Sequence, residues 1–202
     1  MRELGHDFVA RELDEEQLVE LARYVESMSA LINHGELRQR QFSEDRFAQM
    51  SSLVPRDGDG APIQLTSDSM ISGGANPMGL GTHIRREGDV AVMELTLGTA
   101  FEGPPGRAHG GAVAALFDEA MGLVNMLNRE PAYTVQLNIS YISATPLNEL
   151  ITARAWLARR EGRKLFVEAT LSAREKVCAT ATALFIAMDL QVFSDVGPVD
   201  ES

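Results

Sequence analysis

The chain has 202 residues, 45% of them hydrophobic, which suffices for one sizeable core with roughly 60 to 70 residues to spare. Its net charge of −11 argues against nucleic-acid binding, which needs clustered Lys and Arg. Residues 1–70 hold 7 Arg, no Lys and 14 acids (net −7) against a net of −4 for the rest, so the leader does not suit an anionic membrane either.

The N-terminus, MRELGHDFVARELDEE, has no apolar signal-like region, and no uncharged 18-residue span occurs before residue 100. The single cysteine, Cys178, excludes an intrachain disulfide framework and fits a reducing compartment. It lies in the strand-like VCATATALFIAM, where a small buried hydrophobe is favoured over a nucleophile. These features set the expectation of a cytoplasmic protein with no membrane segment.

Asp14 followed by Gln17 reads as a capping box with acids in the first turn. Leu18, Leu21, Val25, Met28 and Ile32 then recur at spacings of 3, 4, 3 and 4, a one-sided helical stripe. Asn33-His34-Gly35 ends that helix, with Gly35 as its cap. Glu36 to Met50 is a second, weaker helix candidate, and Ser51 to Pro62 is loop chemistry, with turn residues dense through Pro77. Residues 1–72 therefore read as an acidic helical extension and linker, too short for a core of their own.

From Leu80 the texture becomes β-rich, beginning with Asp89 to Leu97. Gly110 to Leu127, GGAVAALFDEAMGLVNML, is a helix-length run apolar on almost every side, which predicts a buried helix. The run is interrupted by Asp118 and Glu119, and Arg107 and His109 stand just before it, which speaks against a membrane helix. After it, Val135, Leu137, Ile139 and Tyr141 alternate with polar residues as a half-buried strand. Further strands are predicted over Ile151–Leu157, Leu165–Leu171 and Val177–Met188, separated by turns at Ala144–Asn148, Glu161-Gly162 and Arg174–Lys176. One buried helix wrapped by a curved antiparallel sheet accounts for this order, an α+β architecture over residues 73–190. The tail, 191–202, is polar and expected to fray.

A carboxylate inside an apolar helix is costly unless paired, hydrogen-bonded or chemically employed. Asp118 is thus a candidate general base or nucleophile, or else a structural partner of backbone or Arg. Glu119 lies 100° further round the helix, so at most one of the two points at a given site. At the helix start, first-turn N–H groups lack internal partners and the macrodipole is positive. Gly110 and Gly111 leave that backbone open to a ligand oxygen, an oxyanion-hole arrangement; the alternative is close loop packing with His109 holding the turn. Gly111 and Asp118 share a helix face about 10 Å apart, too far for one thioester to touch both. An antiparallel two-fold partner helix would bring one chain's Asp118 near the other's Gly111, a composite site in a homodimer.

HGGAVAALFDEAMG resembles the signature of hotdog-fold acyl-CoA thioesterases of the PaaI-like branch of the 4-hydroxybenzoyl-CoA thioesterase superfamily. The likeness runs from about Asn76 to Asp189, through NPMGLG, the helix, TVQLNISYISATPL and GRKLFVEATL. It implies a hotdog fold and hydrolysis of an acyl-CoA to a carboxylic acid and coenzyme A, by a homodimer or a tetramer of dimers. It also implies that Gly111 N–H polarises the carbonyl, with His109 and Gly110 shaping the turn. Asp118, nine residues after His109, would activate water or attack from the partner subunit, and Thr134 would position the water. By the same resemblance Asn76 and Pro77 border the acyl pocket and Ser140 is a substrate-binding position. Arg163 and Lys164 would meet coenzyme A phosphates, with Arg159 and Arg160 thickening the positive patch; a solvated hairpin is the alternative. Phe101, Pro104, Met121, Asn125 and Tyr141 are candidates to line the acyl pocket.

No metal or redox cofactor is expected, since HExxH, CxxC, GxxxxGK and Gly-x-Ser-x-Gly patterns are absent from the sequence. Two rival readings are a catalytically silent acyl-CoA sensor and a hotdog enoyl-CoA hydratase. The second would want a His paired with an acid across the site.

Overall fold

A computed structural model describes residues 2–36, 52, 54, 59–63 and 65–188. Helices α1 (Arg2–Ala10) and α2 (Glu15–Ile32) are followed by strands β1 (His83–Glu87) and β2 (Val90–Thr96) and a 3-10 turn at Thr99–Phe101. Helix α3 (Gly110–Leu127) comes next, then β3 (Ala132–Tyr141), β4 (Leu150–Glu161), β5 (Lys164–Ala173) and β6 (Lys176–Ala187). The six strands form one antiparallel sheet in the order β1-β2-β4-β5-β6-β3, with α3 packed on β2, β3, β4 and β5. This is the hotdog arrangement, as the resemblance implied.

Alanine decides how closely the helix sits on the sheet. Ala91 pairs with Ala155, Ala155 with Ala169 and Ala169 with Ala181, a row of small side chains across β2, β4, β5 and β6. All four are buried. Alanine is a poor strand former, so its repetition here reflects packing space and not propensity. Phe117, Leu116 and Met121 of α3 and Met93, Leu171 and Phe185 of the sheet are all fully buried in this single core. Helix α3 is long and apolar enough to cross a bilayer, yet eight of its residues are buried inside the protein.

The hairpins show how the sequence ends each strand. Gly162 turns β4 into β5 with φ of 57°, while Arg174 and Glu175 turn β5 into β6 with φ of 46° and 67°. Both central residues of the second turn are left-handed, which matches the twist of a two-residue hairpin.

Several expectations are corrected. Helix α2 has the expected Asp14–Gln17 capping box, but its cap at the other end is Asn33, not Gly35. Helix α1, with only nine residues and a weak pattern, was not anticipated. The proposed helix at Glu36–Met50 and the tail beyond 188 lie outside the described residues. Strand β3 is less buried than its alternation suggested. It lies at a sheet edge, and the pairing register shifts between Thr134 and Gln136, leaving Val135 and Tyr141 60% and 56% exposed. Finally, α3 is not enclosed all round: Gly111 and Asp118 are exposed on one face.

The two sheet edges differ. Beside β1, residues 59–63 hydrogen-bond through Gly60 N–H to Arg86 O and Ile63 N–H to Ile84 O. Edge strand β3 has ten residues and exposes Tyr133, Val135 and Tyr141. On the first side, Arg85 pairs with Glu94 (2.7 Å) and Glu87 (2.9 Å), and Arg154 pairs with Glu87 (2.7 Å). The Arg154 hydrogen bond, helped by Arg85 and opposed by desolvation, holds the Glu87 carboxyl below the usual carboxylate range.

Candidate active site

The start of α3 is built from four contacts. His109 is the N-cap, in extended conformation, and its Nδ1 accepts the Gly111 N–H at 2.9 Å. The His109 N–H donates to Phe101 O at 2.7 Å, and the preceding Ala108 N–H donates to Thr145 O at 2.9 Å. Tyr141 Oη donates to Gly110 O at 2.8 Å. The glycines admit these partners. A Cβ at Gly111 would lie 3.0 Å from His109 Nδ1, and one at Gly103 would lie 2.9 Å from His109 Cα.

This sharpens the role of Gly111. The room left by its missing side chain is filled by the His109 ring, and its N–H is already engaged. An incoming carbonyl oxygen must share or displace the imidazole. A cleft of about 540 Å³ opens beside this turn, lined by Pro104, Arg107, Gly110, Gly111, Tyr141 and Thr145.

Two turns further on, Thr134 Oγ1 donates to Asp118 Oδ1 at 2.9 Å. Asp118 is exposed within the single chain, contrary to the expectation that an apolar helix buries it. Its neighbour Glu119 is the half-buried carboxylate that the fold tethers. Glu119 Oε1 accepts from Ser69 Oγ at 2.7 Å and from Ser72 Oγ, which ties the irregular segment 65–80 to the helix. The 100° between adjacent helical residues thus separates an open carboxylate from a structural one.

The other expected residues fall in different places. Asn76 spends both ends of its amide inside its own loop, donating to Asp68 O and accepting the Met78 N–H. With Pro77 it borders a cleft shared with Arg2 and His6, apart from the one at the helix start. Arg163 donates from Nε and Nη2 to Ala187 O. Arg160 pairs with Glu130 at 2.5 Å; Arg159 pairs with Glu161 and covers the Phe166 ring at 3.7 Å. Three arginines of the supposed phosphate patch are therefore already committed, while Lys164 is exposed. Lys164 and Tyr133 both pair with Ile186, so this patch lies at the Thr134 end of the sheet. Ser140, on β3 next to Tyr141, pairs with Thr180 of β6. Of the pocket candidates, Pro104 and Tyr141 line the helix-start cleft, Met121 and Asn125 are buried and Phe101 is half-buried.

Tyr141 was legible only as a pocket residue; its bond to Gly110 O depends on β3 passing the helix start. The Ser69–Ser72–Glu119 cluster was not read from sequence, because it joins residues some fifty positions apart. Among the described residues, no group of three or more His, Cys, Asp or Glu could hold a metal ion.

Sheet order and central helix give the hotdog fold, and residues 105–180 match the Thioesterase superfamily model. Acyl-coenzyme A thioesterase THEM4 of Mus musculus is 42% identical over 94 residues, covering 46% of this chain and 40% of the relative. Acyl-coenzyme A thioesterase THEM5 of Homo sapiens is 32% identical over 96 residues, covering 46% and 39%. The matched segment is thus less than half the length of these curated relatives.

Among solved structures, a thioesterase superfamily protein aligns over 92% of this chain and 90% of its own, with a TM-score of 0.76 and 22% identity. That alignment is longer than the hotdog domain, so it takes in part of the leader. A thioesterase protein from Streptococcus pneumoniae TIGR4, solved with coenzyme A, covers 54% and 89% with a TM-score of 0.51 and 20% identity. Both likenesses concern the fold.

Proposed function

We propose that this protein hydrolyses acyl-CoA thioesters at a site completed by two copies of the chain. The observation that carries this reading is the Thr134–Asp118 hydrogen bond on the open face of α3, two turns from Gly111 on the same face. The THEM4 and THEM5 relatives, named acyl-coenzyme A thioesterases, support the substrate class.

In the proposed reaction the thioester carbonyl oxygen docks at the start of α3, where N–H groups and the helix dipole stabilise the developing negative charge. Asp118 takes a proton from water, or attacks the carbonyl itself, and Thr134 fixes the carboxylate. The C–S bond breaks and a C–O bond forms; where Asp118 itself attacks, water then cleaves the acyl–Asp118 anhydride and restores the carboxylate. Coenzyme A leaves as the thiol, and the other product is the free carboxylate. No redox change occurs, so no cofactor is required by this chemistry.

The open edge supports the composite site. A long, exposed, apolar edge strand invites pairing with another. Antiparallel pairing of β3 with its two-fold copy about Leu137 and Asn138 sets Thr134 opposite the partner's Tyr141. Tyr141 binds the helix-start turn and Thr134 binds Asp118, so that register brings the two half-sites together. A cytoplasmic setting agrees with the one buried, unpaired cysteine. The reading is tested by thiol release from a panel of short, long and aryl acyl-CoAs. Release by the wild type, abolished in Asp118→Asn, supports it; tight acyl-CoA binding without turnover favours a sensor instead.

A further inference from the structure

The N-terminal helix touches the site through one side chain. His6 Nδ1 accepts the Ala100 N–H at 3.0 Å, and the His6 ring meets the Phe101 ring edge-on, with centroids 5.4 Å apart at 68°. Phe101 in turn accepts the His109 N–H at 2.7 Å, and His109 holds Gly111. The imidazole lies flush on Gly98, where an added Cβ would fall 2.7 Å from both its Nδ1 and Cε1. Arg2, one turn earlier on the same face of α1, reaches over Gly81, whose φ of 71° itself calls for glycine. Gly98, outside the helix, therefore makes room for a side chain of α1. A solvating appendage needs no such fit.

We propose that His6 is a positioning residue for the thioester-binding turn. It fixes the 3-10 turn Thr99–Phe101, and the Phe101 carbonyl fixes the backbone of His109. This rests on the reading of the His109–Gly111 turn as the carbonyl-binding half of the site. The imidazole acts here as an acceptor at Nδ1, so its proton sits on Nε2. Displacing the 3-10 turn would shift the helix N-cap, and sub-ångström to ångström misplacements at such a point are costly to rate.

The test uses the whole 202-residue chain, four single variants and one double variant. Asn places Oδ1 where His places Nδ1, so His6→Asn keeps the acceptor without the ring; His6→Phe keeps a ring without the acceptor. The expected result is a fall in kcat of about tenfold in His6→Ala and His6→Phe, within the cost of small misplacements. KM should change little, thermal stability should be near wild type, and His6→Asn should recover most of the rate. Gly98→Ala should match His6→Ala, yet cost little more when added to it, because its Cβ acts by expelling the ring. Wild-type kcat in His6→Phe, or no rescue by Asn, overturns the proposal. Backbone hydrogen exchange over residues 98–111 separates it from the function reading. If no acyl-CoA is hydrolysed, faster exchange in His6→Ala still supports the brace, and unchanged exchange refutes it.

Discussion

Thr134 Oγ1 donates a hydrogen bond to Asp118 Oδ1 at 2.9 Å, joining the third turn of the central helix to β3 at the edge of the sheet. Asp118 is exposed in the single chain, and this bond holds its carboxylate among the described residues. Asp118→Asn should therefore lower acyl-CoA hydrolysis by at least about a hundredfold while changing stability by no more than about 0.5 kcal/mol. Thr134→Ala should cost less in rate, about tenfold, because the carboxylate itself remains. Thiol release and thermal unfolding, measured on the same preparations, check both halves of this expectation.

Glu119→Ala should behave in the opposite sense. It strands the Ser69 and Ser72 hydroxyls that hold segment 65–80 on the helix. Loss of a charged acceptor for two part-buried donors is expected to cost about 1–3 kcal/mol, read as a shift in urea midpoint. A Glu119→Ala protein as stable as wild type would show that the serines find solvent without penalty.

A shared site predicts complementation. Gly111→Pro removes the N–H at the helix start, where proline is tolerated, and Asp118→Asn removes the carboxylate. Each variant alone should be inactive. Random exchange of the two into mixed dimers restores one intact site in half of the dimers, about a quarter of wild-type activity. No recovery after verified subunit exchange would place both halves within one chain.

Val135 offers a lever on that assembly. It is 60% exposed on β3, at the register shift between Thr134 and Gln136. A lysine on an edge strand blocks edge-to-edge pairing. Val135→Lys should shift the protein from dimer to monomer in sedimentation and remove activity with it. A fully active monomer at micromolar concentration would contradict the composite site.

Glu87 supplies a pH expectation. Its folded pKa lies below its unfolded one, chiefly because of the Arg154 hydrogen bond. Its contribution is present above the ordinary carboxylate range and is lost as pH falls through the folded pKa. Glu87→Gln should therefore be less stable than wild type at neutral pH, with the gap closing in acid. The effect should be small, because the carboxylate is partly exposed and screened.

Local chemistry wrote much of the fold into the sequence. The Asp14–Gln17 box starts α2, the 18-residue apolar run is α3, and alternation together with Gly162 and Arg174-Glu175 gives the hairpins β4 to β6. His109, Gly111 and Asp118 were legible because their spacing along one helix fixes their relative faces. Alternation failed at β3, since it reports two faces of a strand but not whether a neighbour covers them.

Tertiary structure decided the rest. Only the passage of segment 65–80 over α3 makes Glu119 the tethered carboxylate and leaves Asp118 open. Only the docking of α1 on the 3-10 turn ties His6 to His109, across about a hundred residues of chain. Such contacts join residues whose nearness depends on loop closure and packing, and neither leaves a periodic trace in the sequence. The sequence by itself determined which residue types could do chemistry on the helix; the folded sheet and its loops determined which of them are free to do it.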